Sequence, residues 1–370
     1  MKRFDDREIN AVTNVIKSGK LSRFFLSFYG GEQNQAFEVE VAEYLGVKHG
    51  IAVSNGTVSL EISLKALRIG KGDEVITTPL TFIATGTAIL SVGAKPVFVD
   101  IDPQTLNIDP NKIEDVITKK TAAIIAVSLC GFPAALPHLY GICNDYGIYL
   151  IEDSAQALGA KIGDYKVGSY GDLSSFSFQE TKQISTLGEG GAIITNDDRL
   201  ADLCRNIRNH GNAYGSLNDI VCTNARLSEA AAAFGRVQLT KLDDFNNIQI
   251  ENAEYFLSHL PNFLSSVYNF PIPNSLKPIY LLIPTIYHGK LSRDDFIEDL
   301  KGLGISLGLP GQNVGYYKKL LYDYPIFAKY RRKCPNAEWA RDHILLWDVH
   351  RWNRTTEDLD RILKLLKSLA

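Results

Sequence analysis

Long apolar runs are missing from this chain of 370 residues; none approaches the ~18 residues of a membrane span. The start, Met1–Glu8, carries no apolar segment, so no secretory signal is expected. Cysteine is sparse and scattered: Cys130, Cys143, Cys204, Cys222 and Cys334 include no C-x-x-C pair. That excludes a disulfide framework or a zinc site and reads as reduced thiols in a cytoplasmic protein. The seven histidines are equally dispersed, with no H-E-x-x-H spacing, and no metal is expected. A surplus of positive charge is also absent; the net charge of -3 argues against a nucleic-acid surface and leaves small-molecule chemistry open. No G-x-G-x-x-G follows the first strand pattern, which argues against a nicotinamide-binding Rossmann protein. There is no internal repeat and no low-complexity segment. What remains, 45% apolar and 22% charged residues, is the material of a globular protein of about two domains.

What the chain does have is organised around one stretch. Ser174-Ser175-Phe176-Ser177-Phe178-Gln179-Glu180-Thr181-Lys182 alternates serine with aromatics and ends on a lysine. A Gly-rich turn, Gly188-Glu189-Gly190-Gly191, and a second strand-like run, Ala192–Thr195, follow. A lysine just past a buried strand suits a Schiff base, because desolvation lowers an amine's pKa and the neutral amine attacks an aldehyde. Upstream, Ile151-Glu152-Asp153-Ser154-Ala155-Gln156 places an aspartate at a strand end, where a pyridinium nitrogen could be held. The same aspartate could instead cap a following helix.

Taken in order, apolar spacing predicts helices over Asp5–Lys17 and Ala36–Leu45, the second burying Phe37, Val39, Val41, Ala42 and Leu45. Ser22–Gln35, with Phe24, Phe25, Phe28 and Tyr29, shows no period. A strand at Gly50–Val53 runs into Ser54-Asn55-Gly56-Thr57-Val58-Ser59 and a helix. A small turn opening a helix presents unpaired N–H groups to a phosphate, and the same residue types are ordinary caps. Strands at Glu74–Thr77, Lys95–Asp100, Ala122–Val127 and Ile148–Glu152 then alternate with helices at Ala84–Leu90 and Leu136–Tyr146. This order implies an α/β domain with a largely parallel sheet whose strand ends gather the site. Helices at Leu200–Ile207 and Leu227–Leu239 continue to about Leu260. Pro261, Pro271, Pro273 and Pro278 mark a change of character. Beyond lie a strand near Ile279–Ile286 and helices at Arg293–Leu303 and Thr356–Leu369. We take residues 1–250 as a large domain and 251–370 as a smaller α+β domain.

The motifs Ser54–Thr57, Thr81-Phe82-Ile83-Ala84-Thr85, Glu152–Gln156, Ser177-x4-Lys182 and Gly188–Gly191 occur in this order. Together they resemble the DegT/DnrJ/EryC1/StrS sugar aminotransferases, a branch of the fold type I pyridoxal-phosphate enzymes. The resemblance implies a mostly parallel seven-stranded sheet between helices, with pyridoxal 5'-phosphate as cofactor. Lys182 would bind the cofactor covalently and shuttle a proton, and Asp153 would pair with the pyridinium nitrogen. Phe82 would stack on the ring and Gln156 would sit by its phenolic oxygen. Thr57, the N–H groups of Gly56 and Val58, and Ser177 would hold the phosphate. Asn224 matches an asparagine that reaches the neighbouring subunit's cofactor, which implies a homodimer with shared sites.

The implied reaction carries an amino group from an amino acid, glutamate or glutamine, to a keto-sugar nucleotide or keto-cyclitol. Departures from the family pattern are Cys222 in place of a glycine, Ser128 in place of a histidine, and the extra Leu187. Leu309–Asn313 and Trp347–His350 also depart, in regions that shape the acceptor pocket. Phe178-Gln179 resembles the branch acting on keto-cyclitols and aminobenzoate precursors. A sugar dehydratase, whose known examples replace the lysine by histidine, and a non-catalytic cofactor-binding regulator are the alternatives.

Overall fold

A computed structural model describes residues 2–24, 27–211, 219–268, 272, 274–305, 319–348, 351 and 353–369. Phe25, Pro271, Pro273, Leu309–Asn313, Val349 and His350 lie outside the described residues. Helices α1 (Asp6–Ser18) and α2 (Glu32–Leu45) lead into an alternating series: β1 (His49–Val53), α3 (Gly56–Ala66), β2 (Glu74–Thr77), α4 (Ile83–Ser91) and β3 (Lys95–Phe98). After these come β4 (Thr121–Val127), α5 (Leu136–Tyr146) and β5 (Tyr149–Asp153). Two short strands, β6 (Lys161–Ile162) and β7 (Tyr165–Lys166), precede β8 (Leu173–Ser177), β9 (Gly191–Thr195) and α6 (Asp198–Arg208).

The seven long strands form one sheet in the order β1-β9-β8-β5-β4-β2-β3. β9 pairs antiparallel with both neighbours, and the remaining pairs are parallel. Runs such as Ala123–Val127 are buried on both faces, as a sheet covered by helices on each side requires. The C-terminal ends of β1, β4, β5 and β8 therefore lie along one edge of the sheet, where a doubly wound fold binds ligands. Gly191 is needed at the turn into β9: a Cβ there would lie 2.7 Å from the Asn55 and Phe176 backbones. The mixed α/β fold with a mostly parallel seven-stranded sheet agrees with the architecture that the sequence implies.

Helices α7 (Glu229–Leu239) and α8 (Leu242–Ser258) follow. Then come β10 (Leu264–Ser266), β11 (Leu276–Lys277), β12 (Ile283–Tyr287), α9 (Arg293–Gly302), α10 (Pro335–His343), β13 (Ile344–Trp347) and α11 (Thr356–Lys367). A small antiparallel sheet has the order β10-β12-β13, and β11 pairs with β6. Residues 319–343 pack on the β3 edge of the large sheet. Phe98 meets Tyr322 and Phe327, the Leu321 N–H donates to the Pro79 carbonyl (2.9 Å), and Asp100 accepts from the N–H groups of Asn336 and Ala337. One continuous core thus contains Ala126 and Leu139 together with Phe256, Leu321 and Trp347.

Some local expectations differ from the structure. Helix α2 begins at Glu32, four residues before Ala36, because its N-terminus is capped from a distance. The Glu229 carboxylate accepts from the N–H groups of Gly31 (3.1 Å), Gln33 (2.9 Å) and Asn34 (3.4 Å). Val39 is 56% exposed, since the inward face is made by Phe37, Glu38, Val41, Ala42 and Leu45. Helix α1 leaves Ile9 and Ile16 exposed and buries Glu8, which pairs with Lys241 and accepts from Gln238 (2.7 Å). The strand expected from Ile279 begins at Ile283. Residues Ile279 and Tyr280 instead cross the end of β4, their carbonyls held by Gln249 Nε2.

Candidate active site

Eight of the nine residues singled out in the sequence line one cavity of about 750 Å³ at the strand ends. They are Gly56, Thr57, Val58, Phe82, Asp153, Gln156, Ser177 and Lys182. Asn55, at the end of the β1 turn, accepts the Val58 N–H at 2.8 Å and caps α3. The Val58 N–H, expected to face a phosphate, is thus committed to the cap. Gly56 and Thr57 bring the rest of the first helical turn to the cavity, where N–H groups have no intrahelical partner. Ser177 closes β8 directly beneath: a Cβ on Gly56 would stand 2.8 Å from the Ser177 Cβ, so only glycine fits.

Asp153 ends β5 and is 6% exposed. Its Oδ2 accepts from the Thr85 hydroxyl at 2.7 Å, and its Oδ1 from the Ala155 N–H at 3.4 Å. Thr85 spends its single proton on Asp153, so the 2.9 Å contact between Thr81 and Thr85 has Thr81 as donor. Burial pushes the Asp153 carboxyl up, and the Thr85 hydrogen bond opposes that rise. Phe82, just before α4, is 50% exposed and lines the cavity. The Oε1 of Gln156 accepts the Cys130 N–H at 2.9 Å, which fixes the orientation of its amide at the cavity wall.

Lys182 lies beyond β8 in an irregular loop. Burial pushes its amine down to about 8; the Asp153 carboxylate and the Cys130 thiol oppose this, and the Arg351 guanidinium adds to it. An amine so placed is neutral in a large fraction near pH 8 and competent as a nucleophile. A buried amine, a buried acid, an open aromatic face and a helix N-terminus around one cavity fit pyridoxal phosphate.

Asn224 does not line this cavity. It is exposed, bridges Asn209 through its backbone, and accepts from Arg226 Nε at 2.8 Å. Its neighbour Cys222 is partly buried, and all five cysteines are free. Among the described residues no group of three or more His, Cys, Asp or Glu side chains is arranged to hold a metal ion. Among them, too, no helix is long and apolar enough to cross a membrane.

Sequence reasoning assigned no role to Thr85, though it lay inside the Thr81–Thr85 motif. The available signal was a second threonine four residues after Thr81, at the opening of the expected helix. Leu281, Leu282, Glu61 and Glu189 also line the cavity. Nothing in the local sequence points to Arg351, which reaches the loop of Lys182 from 170 residues away.

The fold is that of the fold type I pyridoxal-phosphate aminotransferases. The chain belongs to the DegT/DnrJ/EryC1/StrS aminotransferase family, whose model matches residues 2–367, and it is a pyridoxal-phosphate-dependent aminotransferase. It is 38% identical to a pleiotropic regulatory protein of Geobacillus stearothermophilus, over 88% of this chain and 85% of that protein. It is 42% identical to a UDP-N-acetyl-3-dehydro-alpha-D-glucosamine 3-aminotransferase of Acidithiobacillus ferrooxidans, over 63% of each. Among solved structures, an aminotransferase from Psychrobacter cryohalolentis superposes with a TM-score of 0.89 at 29% identity, covering 99% of this chain and 97% of that one.

Proposed function

We propose that this aminotransferase moves an amino group from glutamate or glutamine to a keto carbon of a nucleotide-linked deoxysugar or a related keto-cyclitol. The observation that carries the reading is the buried Lys182 amine, pushed down to about 8 beside the buried Asp153. The named substrate of the Acidithiobacillus relative, a keto sugar on a nucleotide, supports the acceptor class.

Pyridoxal phosphate, when bound, supplies an aldehyde that condenses with amines and a ring that takes up the electron pair of a departing proton. Lys182 would hold the cofactor through its amine and would take the proton from the donor carbon. It would deliver a proton to the acceptor carbon in the reverse sense. Asp153 would keep the ring nitrogen protonated, with Thr85 fixing the carboxylate's direction. Phe82 would cover one ring face, and Gln156 would sit by the phenolic oxygen. The phosphate would rest on the Gly56 and Thr57 N–H groups with the Thr57 and Ser177 hydroxyls, while Val58 contributes through the Asn55 cap. Asn224 would serve the phosphate site of a second copy in a cytoplasmic homodimer. Residues 1–250 would form the cofactor-binding unit, and 251–370 a smaller one that shapes the acceptor end.

The test is a borohydride reduction of the cofactor-loaded enzyme followed by peptide mapping. The cofactor mass is expected on Lys182; its appearance on Lys161 or Lys166 would sink the assignment. In a separate, unreduced sample, glutamate or glutamine should discharge the cofactor's visible band, and a keto-sugar nucleotide or keto-cyclitol should restore it. A band that no amino acid discharges would favour a cofactor-binding regulator.

A further inference from the structure

The loop that carries Lys182 belongs to neither strand nor helix, so no ladder satisfies its backbone. Its N–H groups are met locally: Glu180 donates to the Gly188 carbonyl (2.9 Å), Thr181 to Gln179 Oε1 (2.7 Å) and Lys182 to the Gln179 carbonyl (2.9 Å). Its carbonyls are met from far away. Arg3 Nη2 donates to the carbonyls of Glu180 and Lys182, the latter at 3.2 Å, and Arg351 Nη2 donates to that of Thr181 at 3.1 Å.

Both arginines are anchored in turn. The Arg3 carbonyl accepts from Gln238 Nε2 (2.8 Å) and Lys241 Nζ (3.4 Å), and Lys241 is itself paired with Asp5 and Glu8. Arg351 is 7% exposed and ion-paired with Asp348.

We propose that Arg3 and Arg351 are positioning residues for the transamination. From opposite ends of the sequence they grip three consecutive carbonyls, Glu180, Thr181 and Lys182, and hold the Lys182 amine in its dry place at the cavity. The proposal rests on the reading of Lys182 as the reacting amine. Arginine suits the task because its planar fork offers several donors in fixed directions and keeps its charge when buried. The groups facing Lys182 are Asp153 from the end of β5, Cys130 from beyond β4, and Arg351. Glu180 stands beside Arg3, and Glu189 lines the same cavity. Burial and the Arg351 charge both favour the neutral amine, so loosening the grip lets water in and removing Arg351 also removes a cation.

The test follows the labelling of Lys182 by acetic anhydride in the apoprotein against pH, with peptide mass mapping, alongside turnover of the cofactor-loaded enzyme. Wild-type Lys182 should label with a midpoint near 8. Arg3→Ala and Arg351→Met should each raise that midpoint by about one pH unit. Both should lower kcat roughly tenfold or more through misplacement of the amine, with the acceptor KM little changed. Arg3→Lys, a single point donor in place of the fork, should recover part of kcat. If Arg351→Met strands Asp348 and does not fold, the double variant Arg351→Met/Asp348→Asn removes both members of the pair. Folded variants whose midpoint stays at the wild-type value overturn the proposal, whatever happens to kcat. A wild-type Lys182 that labels like a free lysine overturns instead the assignment on which the proposal stands.

Discussion

Thr85→Val isolates the support of the buried acid. Valine keeps the shape of threonine but removes the hydroxyl that donates to Asp153 Oδ2 at 2.7 Å. A hydrogen bond to a charged group contributes about 1.5–3 kcal/mol, and here the acceptor is 6% exposed, so water replaces it poorly. The variant also leaves the Thr81 hydroxyl without its acceptor.

Two consequences are expected. Turnover should fall by roughly 10- to 100-fold, since about 1.4 kcal/mol is tenfold and the lost donor both aims and ionises the carboxylate. The second is a change in the pH dependence of stability. Burial already raises the Asp153 pKa in the folded state, and the Thr85 hydrogen bond holds that rise down. A carboxyl raised above its unfolded value binds protons more tightly when folded. Its contribution to stability is fully present below the unfolded pKa and is lost as pH rises through the folded one. Removing Thr85 raises the folded pKa further. The deficit of the variant should therefore be largest at neutral pH and shrink in acid. Urea unfolding at a series of pH values and the pH profile of kcat/KM read both effects, with Thr85→Ser as the control that keeps a hydroxyl. Turnover within twofold of wild type and a pH-independent stability loss would refute the reasoning.

Lys182→Ala should abolish transamination while the protein still binds the cofactor non-covalently; in the wild type, the rate of covalent loading of the apoprotein should rise with pH through about 8, as the neutral amine accumulates. A loading rate flat between pH 6 and 9 would contradict the placement of that amine. Gly191→Ala forces a Cβ to 2.7 Å from the Asn55 and Phe176 backbones and should cost about 1–3 kcal/mol, read as a lowered Tm. If the proposed homodimer shares its sites, subunits carrying Asn224→Ala and Lys182→Ala should, when mixed, regain up to about half the activity per site, because one composite site of each mixed dimer would be intact. No recovery after verified subunit exchange would mean that Asn224 acts within its own chain or not on the cofactor at all.

The sequence by itself determined the elements whose signals are local. Apolar runs such as Ala123–Val127 and the helical period of Leu136–Tyr146 reappear as β4 and α5, because strand and helix patterns need only their own residues. The cluster of polar residues just past those runs was legible for the same reason. In a parallel sheet the residue after each buried run lands on the common edge, so Asp153, Ser177 and Lys182 come to one cavity.

Tertiary structure decided everything that depends on a partner far away in the chain. Helix α2 starts where it does because Glu229, nearly 200 residues on, caps it. Helix α1 turns a glutamate inward against its apolar spacing because Lys241 waits there. The loop around Lys182 carries no periodicity, and its carbonyls are met by Arg3 and Arg351, which only the closed fold brings within 3.2 Å. A buried polar group must find a partner, but which one it finds is set by the packing of the whole chain and not by its neighbours in sequence.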